Sequence, residues 1–383
     1  MKKVLYSTTA LAAAGLLALS PADAQAAEKV KLGLGGFYIW MMGAGDSDAE
    51  AHKGNAPLNM VGDSEVYFRG NTTLDNGIRV DVIVQLESDQ VNGGIIDESY
   101  IKVGNLKQWG EFRLGSTKQA HFLFRATGPH VSAISNATNF AQSHQYVPST
   151  TPLKGPATFF NHAGAADRMS LVYVTPNLNG VQGGISFTPG QANSDVPPAT
   201  DGENATDTEV LSLGGNYKGK FGDASVAVSG GWTGVSGDKD AESTTTQFGA
   251  QVGFAGFSIG GHWAKREDDG DGTALDVEGF MTGVGYKTGP WNIALTWLNT
   301  KDDVSMNAGE VEHNQYTLGM TYSLGAGVLV GASIFQVDFQ DEMMVTDLGA
   351  DNAVGGDDAN ADTTTGGNDN EGWGALVGIR VNF

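Results

Sequence analysis

Residues 112–166 hold four histidines (His121, His130, His144, His162), two arginines (Arg113, Arg125) and two lysines (Lys118, Lys154), but neither Asp nor Glu, in a chain with 44 acids. Neutral imidazole is a common metal ligand, so four histidines raise the question of a metal site. Their spacings of 9, 14 and 18 residues match no ligand motif, and polar loop residues are the better reading. A second candidate is Glu267, Asp269 and Asp271, with Gly272 and Glu278. These have the spacing of a calcium-binding loop, except that Glu stands first. No helical pattern flanks them, so chance in an acid-rich hairpin is the simpler account. Ser and His are otherwise scattered, with no spacing that assembles nucleophile, base and carboxylate, so the chain is not read as an enzyme. The chemistry left is that of fixed charges meeting dissolved ions.

The elements that position these charges have a period of two. In Trp291-Asn-Ile293-Ala-Leu295-Thr-Trp297 large apolar residues alternate with small or polar ones, and Phe257–Trp263, Tyr316–Tyr322 and Ile78–Leu86 do the same. Successive side chains of a strand point to opposite faces, so one face is apolar with aromatic ends and the other polar or Gly. Sixteen such segments are expected: 30–41, 64–74, 78–87, 96–105, 110–116, 167–175, 181–188, 208–217, 224–233, 244–254, 257–266, 277–286, 291–299, 313–323, 328–339 and 373–383. Most are near the length that a tilted strand needs to cross a bilayer, and an even number suits a single-chain bacterial barrel. Their connections alternate short and long. Asp75-Asn76-Gly77 and Ala255-Gly256 are short; 42–63, 88–95, 117–166, 189–207, 234–243, 267–276, 300–312 and 340–372 are long. The fold class expected is all-β: a transmembrane antiparallel up-and-down barrel with its long connections on one side.

Composition agrees. Lys2-Lys3, the apolar run Val4–Leu19 and the small residues Ala22–Ala26 have the pattern of a secretory signal peptide over 1–26, leaving a barrel over 27–383. No later run of about 18 apolar residues could form a membrane helix. A net charge of −22 disfavours nucleic-acid binding, which needs clustered Lys and Arg. The absence of cysteine leaves ladder hydrogen bonds to hold a loop-rich exported chain. Residues 340–372 carry Asp341, Glu342, Asp347, Asp351, Asp357, Asp358, Asp362, Asp369 and Glu371 and no base. They either solubilise an exposed rim or hold structural calcium or magnesium bridging to lipopolysaccharide.

Glu65-Val-Tyr-Phe-Arg-Gly-Asn71 followed by Leu74-Asp-Asn-Gly-Ile78 resembles the second and third strands of the general bacterial porins of the Gram-negative outer membrane. Asp97–Val103, Gly110–Gly115 and Arg168–Pro176 resemble the fourth, fifth and sixth, and the terminal Phe383 is similar to the assembly signal of such barrels. The resemblance spans the whole mature chain. It implies a homotrimer, export to the outer membrane, insertion by the barrel assembly machinery, and passive diffusion of ions and small hydrophilic solutes. It also implies that the loop after the fifth strand, 117–166, folds inward and narrows the pore.

Strand parity then names the lumen face. Glu65, Tyr67, Arg69 and Asn71 face in, as do Arg79, Asp81, Gln85, Glu87, Glu98, Tyr100, Lys102, Glu111, Arg113, Arg168 and Arg380. A charge turned to lipid would cost about 2–4 kcal/mol at midplane. In the family, basic wall residues face acids on the inward loop, and this loop has none. The expected constriction residues are Arg69, Arg79, Glu98, Lys102, Arg113, Lys118, Arg125 and Arg168, with a net positive field biased toward anions. The competing reading makes Lys118 and Arg125 scaffold, paired with wall acids such as Glu98 or Glu111. A substrate-specific outer-membrane channel is the alternative to a general diffusion pore.

Overall fold

The computed structural model describes residues 29–47, 58–88, 96–131, 168–189, 208–237, 242–268, 275–304, 310–340, 344–347, 363–365 and 370–383. The strands are β1 (Lys31–Ser47), β2 (Leu58–Thr73), β3 (Arg79–Glu87), β4 (Ile96–Asn105), β5 (Gly110–Thr117), β6 (Arg168–Val174), β7 (Val181–Thr188), β8 (Thr208–Phe221) and β9 (Ala224–Gly237). They continue with β10 (Ser243–Phe254), β11 (Phe257–Asp268), β12 (Leu275–Thr288), β13 (Trp291–Val304), β14 (Glu310–Gly325), β15 (Val328–Gln340), β16 (Met344–Asp347), β17 (Thr363–Thr365) and β18 (Asn370–Asn382). Among the described residues β1–β15 and β18 form one closed barrel of sixteen strands, each paired with its chain neighbours, and β1 paired antiparallel with β18. A helix, α1 (Ala120–Leu123), follows β5, and among the described residues no helix is long and apolar enough to cross a membrane.

Closure is what the alternating pattern requires. In hydrocarbon every backbone N–H and C=O must find a partner within the protein, and a closed ladder provides one without leaving an edge. The last residue takes part: Gly36 N donates to the Phe383 carbonyl at 2.9 Å, and Phe383 N donates to the Gly36 carbonyl at 3.1 Å.

The outer face is apolar and exposed, with Leu32 at 87% and Leu34 at 68%. Neighbouring strands β11–β14 each carry two outward aromatic residues six apart: Phe257 and Trp263, Phe280 and Tyr286, Trp291 and Trp297, Tyr316 and Tyr322. Six residues span about 20 Å along a strand at ~3.4 Å each, enough to set two belts at the edges of an apolar band. Within the belt nearest the short turns Phe257 meets Tyr286 at 4.3 Å and Trp291 meets Tyr322 at 4.6 Å. In the other, Phe280 meets Trp297 at 5.7 Å and Phe248 stacks on Trp263 at 6.0 Å.

Two sequence expectations need correction, and one connection gains detail. Several strands run further than the hydrophobic alternation: β1 reaches Ser47 and β2 starts at Leu58, with Ala44 opposite Leu58, because the ladder continues after lipid contact ends. The long connection 340–372 contains the paired strands β16 and β17. The inner face is not uniformly polar: Phe37, Ile39 and Met41 of β1, Phe335 and Val337 of β15 and Leu376 of β18 form a buried cluster, with Tyr67 packed against it. Mutual packing across three adjacent strands keeps these side chains from water. The segment 1–26 lies outside the described residues.

Three tight turns place a residue in the left-handed region before Gly: Asn179-Gly180, Ala255-Gly256 and Ala326-Gly327, with φ of 54°, 50° and 48° at the first position. Asn suits that conformation; Ala does not, at a cost of roughly 1 kcal/mol. Replacing Ala255 and Ala326 by Asn is expected to stabilise the barrel by about 0.5–1 kcal/mol each, measured by reversible denaturant unfolding in detergent or lipid.

Candidate functional site

The inner wall of β2–β5 gathers the charges. Register places Asn71, Asp81, Lys102, Arg113 and Val172 side by side across β2 to β6, and Arg69, Ile83, Tyr100 and Gly115 in the adjacent row. Arg79 is bound to Asp81 at 2.7 Å and Arg113 to Glu111 at 3.0 Å. Arg69 and Lys102 have no carboxylate within 4 Å among the described residues; each instead lies over a ring, Tyr67 and Tyr100 respectively. Nearer the long connections Asp63, Glu65 and Glu87 come together, close enough for their oxygens to share an ion. Glu65 stands directly opposite Glu87 in the ladder. The lumen face of β2–β5 thus carries an acidic group toward the long connections and a mixed set of bases and acids deeper.

The chain after β5 turns inward. Lys118 Nζ reaches Glu98 Oε1 at 3.3 Å, and Gln85 Nε2 donates to Glu98 Oε2 at 2.9 Å, so Glu98 joins the start of the segment to the wall. Residues 119–129 then follow the inner face from β7 to β13. The wall holds them largely by their backbone. Ser186 Oγ accepts from Ala120 N at 3.0 Å, Ser212 Oγ from His121 N at 3.0 Å, and Ser229 Oγ from Ala126 N at 2.8 Å. In return Gln247 Nε2 donates to the His121 carbonyl, Asn216 Nδ2 to Phe124, His262 Nδ1 to Ala126 and Thr296 Oγ1 to Pro129, at 2.7–3.1 Å. Each such bond contributes a net ~0.5–1.5 kcal/mol, and leaving a buried partner unmade costs more.

Close approach depends on bare backbone in the wall. A Cβ at Gly249 would fall on the Ala126 carbonyl, and one at Gly283 on the Pro129 carbonyl. Phe124 packs into Val172 and Val174 of β6. His121 is buried, its Nδ1 2.7 Å from Ser212 Oγ and 2.8 Å from Thr233 Oγ1. Burial, with the Arg125 guanidinium beside it, pushes the His121 imidazole down to about 3. Burial also lowers His130 and brings Arg125 down to about 10.

Of the eight residues expected at the constriction, Arg69, Glu98, Lys102 and Arg113 lie on the inner face of β2, β4 and β5, Lys118 is joined to Glu98, and Arg125 lies with Lys118 around the Phe122 ring. Arg79 sits at the short-turn end with an exposed side chain, opposite Gly104. Arg168 lies four residues from Val172, the partner of Arg113, and so about 13 Å further toward the long connections at ~3.3 Å per residue. Residues 132–166, with His144, Lys154 and His162, lie outside the described residues. Of the calcium candidates, Asp269 and Asp271 also lie outside them. Glu267 is held by Lys265 at 2.7 Å, and Glu278 accepts from Trp263 Nε1 at 2.6 Å. The string Gly256-Phe257-Ser258-Ile259-Gly260 has a hydrolase-like spacing, but it spans a β-hairpin turn and not the strand-to-helix elbow that exposes such a serine. Sequence reasoning did not find the anchoring residues Ser186, Ser212, Ser229, Gln247 and Thr296. For the three serines the signal was the run of small and hydroxyl residues at inward parity on β7–β9.

Two outcomes follow. Gly249→Val should lift the segment at Ala126 and raise single-channel conductance in planar bilayers while the barrel still assembles. A histidine held neutral favours the seated state above its ordinary value near 6.5, and that contribution is lost as pH falls toward about 3. Conductance noise should therefore grow between pH 6.5 and 4, and His121→Gln should weaken that dependence.

Residues 7–342 match the family described as Gram-negative porin. No curated protein matches the chain. Among solved structures, the anion-selective porin from Comamonas acidovorans is 17% identical with a TM-score of 0.58, covering 93% of this chain and 100% of that one. In-vitro folded OmpT, an outer membrane protein of Vibrio cholerae, is 12% identical with a TM-score of 0.59, covering 94% and 100%. A mutant of the Rh. blastica porin is 13% identical with a TM-score of 0.54, covering 92% and 100%. At such identities the structures speak for the fold, and the family match carries the assignment: the chain belongs to the Gram-negative porins, a channel of the outer membrane and not an enzyme.

Proposed function

We propose that the protein is a passive diffusion channel for small hydrophilic solutes, biased toward anions. The observation that carries this reading is the pair Arg69 and Lys102, lumen-facing cations on adjacent rows with no carboxylate within 4 Å among the described residues. Arg380 supports it: it lies 4.3 Å over the Phe37 ring, and its Nε donates to Asn382. A solute passing this wall meets a positive field. The bound pairs Arg79–Asp81, Arg113–Glu111 and Lys118–Glu98 largely cancel, so Lys118 belongs to the scaffold and the field comes from the wall.

The same reading makes 1–26 a cleaved export signal, Phe383 the contact for the barrel assembly machinery and the functional unit a homotrimer. The trimer form of OmpT from Vibrio cholerae and the exposed apolar face of β1 and β2 support the last point. The acidic connection 340–372 is assigned to divalent cations and lipopolysaccharide at the outer rim.

Reversal potentials in a KCl gradient test the bias. The wild type should prefer chloride, and Arg69→Glu with Lys102→Glu should move the permeability ratio toward potassium by about two- to fivefold, the effect of a screened interaction of roughly 0.5–1 kcal/mol. Cation preference in the wild type, set by Asp63, Glu65 and Glu87, would overturn the reading.

A further inference from the structure

We infer that the anions this pore favours are planar aromatic carboxylates; the inference deepens the anion-channel reading and rests on it. Among the described residues, the three cations on this part of the wall with no carboxylate within 4 Å are each backed by an aromatic ring. The Arg69 guanidinium carbon lies 5.2 Å from the Tyr67 centroid, Lys102 Nζ 5.8 Å from Tyr100, and the Arg380 guanidinium carbon 4.3 Å from Phe37. Phe37 and Tyr67 also meet edge to face at 6.2 Å, so the backing rings of β1 and β2 form one surface. The inward segment repeats the chemistry: Phe122 has Lys118 Nζ at 5.5 Å and the Arg125 guanidinium at 4.2 Å.

A ring behind a guanidinium holds it against one face and leaves the opposite face open to the lumen. Arg69 is exposed, while Tyr67 is only half-buried. A solute ring laid on that open face completes a ring–guanidinium–ring stack, which a planar, weakly hydrated cation favours. Lys102, one row away and beside Arg113, is placed to take the carboxylate of the same molecule. Chloride or an aliphatic carboxylate uses the second contact alone, and a neutral aromatic solute only the first. The combination selects a flat ring carrying one negative group.

Block of the chloride current measures this directly. Sodium benzoate and sodium cyclohexanecarboxylate have the same charge and similar bulk, but only benzoate is flat and aromatic. In planar bilayers benzoate should reach half-block at about a two- to fivefold lower concentration, as expected for one exposed cation–π contact. Arg69→Lys, which keeps the charge and loses the flat face, should bring the two half-blocking concentrations together, as should Tyr67→Leu with Tyr100→Leu. Equal half-blocking concentrations in the wild type, or a difference that survives Arg69→Lys, would overturn the inference. The KCl reversal potential of the same wild-type preparation is read separately: chloride preference without benzoate preference defeats the aromatic inference alone, and potassium preference defeats the anion reading beneath it.

Discussion

A peptide group in hydrocarbon has no water to turn to, and that single constraint organises this molecule. It forces the ladder to close, so that β18 returns to β1 and the terminal residue exchanges two backbone hydrogen bonds with Gly36. Closure then fixes which side of every strand is wet. Once the wall is a cylinder, alternate residues have no choice of environment, and charges can survive only on the inside. Arg69, Lys102 and Arg380 share one field because the register leaves them nowhere else to point.

The inward segment obeys the same constraint in a different way. Its backbone lies against a wall whose own N–H and C=O groups are already spent in the ladder. The segment must therefore be satisfied by side chains, and the wall offers hydroxyls, amides and one imidazole at inward parity. Glycines between them let the carbonyls of Ala126 and Pro129 come close. Affinity for the wall and clearance from it are set by the same three-residue alternations, such as Gly184-Ile-Ser186 and Ser212-Leu-Gly214.

Much of this was readable from residue types alone. The period of two and the alternation of short and long connections gave the barrel, its strand number and the lumen side of Glu65–Asn71, because each is a repeated local pattern. What stayed hidden was long-range. Lys118 could pair with Glu98 or Glu111, and only the placement of β4 against the inward turn decided for Glu98. Phe37, Ile39 and Met41 have the parity of lumen residues but the chemistry of a core, and a strand read by itself cannot show that Phe335, Val337 and Leu376 will stand beside them. Arg168 has the right face but the wrong height, since height comes from the β5–β6 register and not from parity.

The wall grips the inward segment mostly through main-chain atoms, which every amino acid possesses. Side chains such as that of Phe122, whose ring meets Lys118 and Arg125 of its own segment, are thereby released from the duty of holding the segment in position. Lineages can exchange them, altering what the channel admits while the barrel and the seating of its narrowing strap stay as they are. Permeability in this architecture is a property that can drift or be re-engineered without refolding the protein.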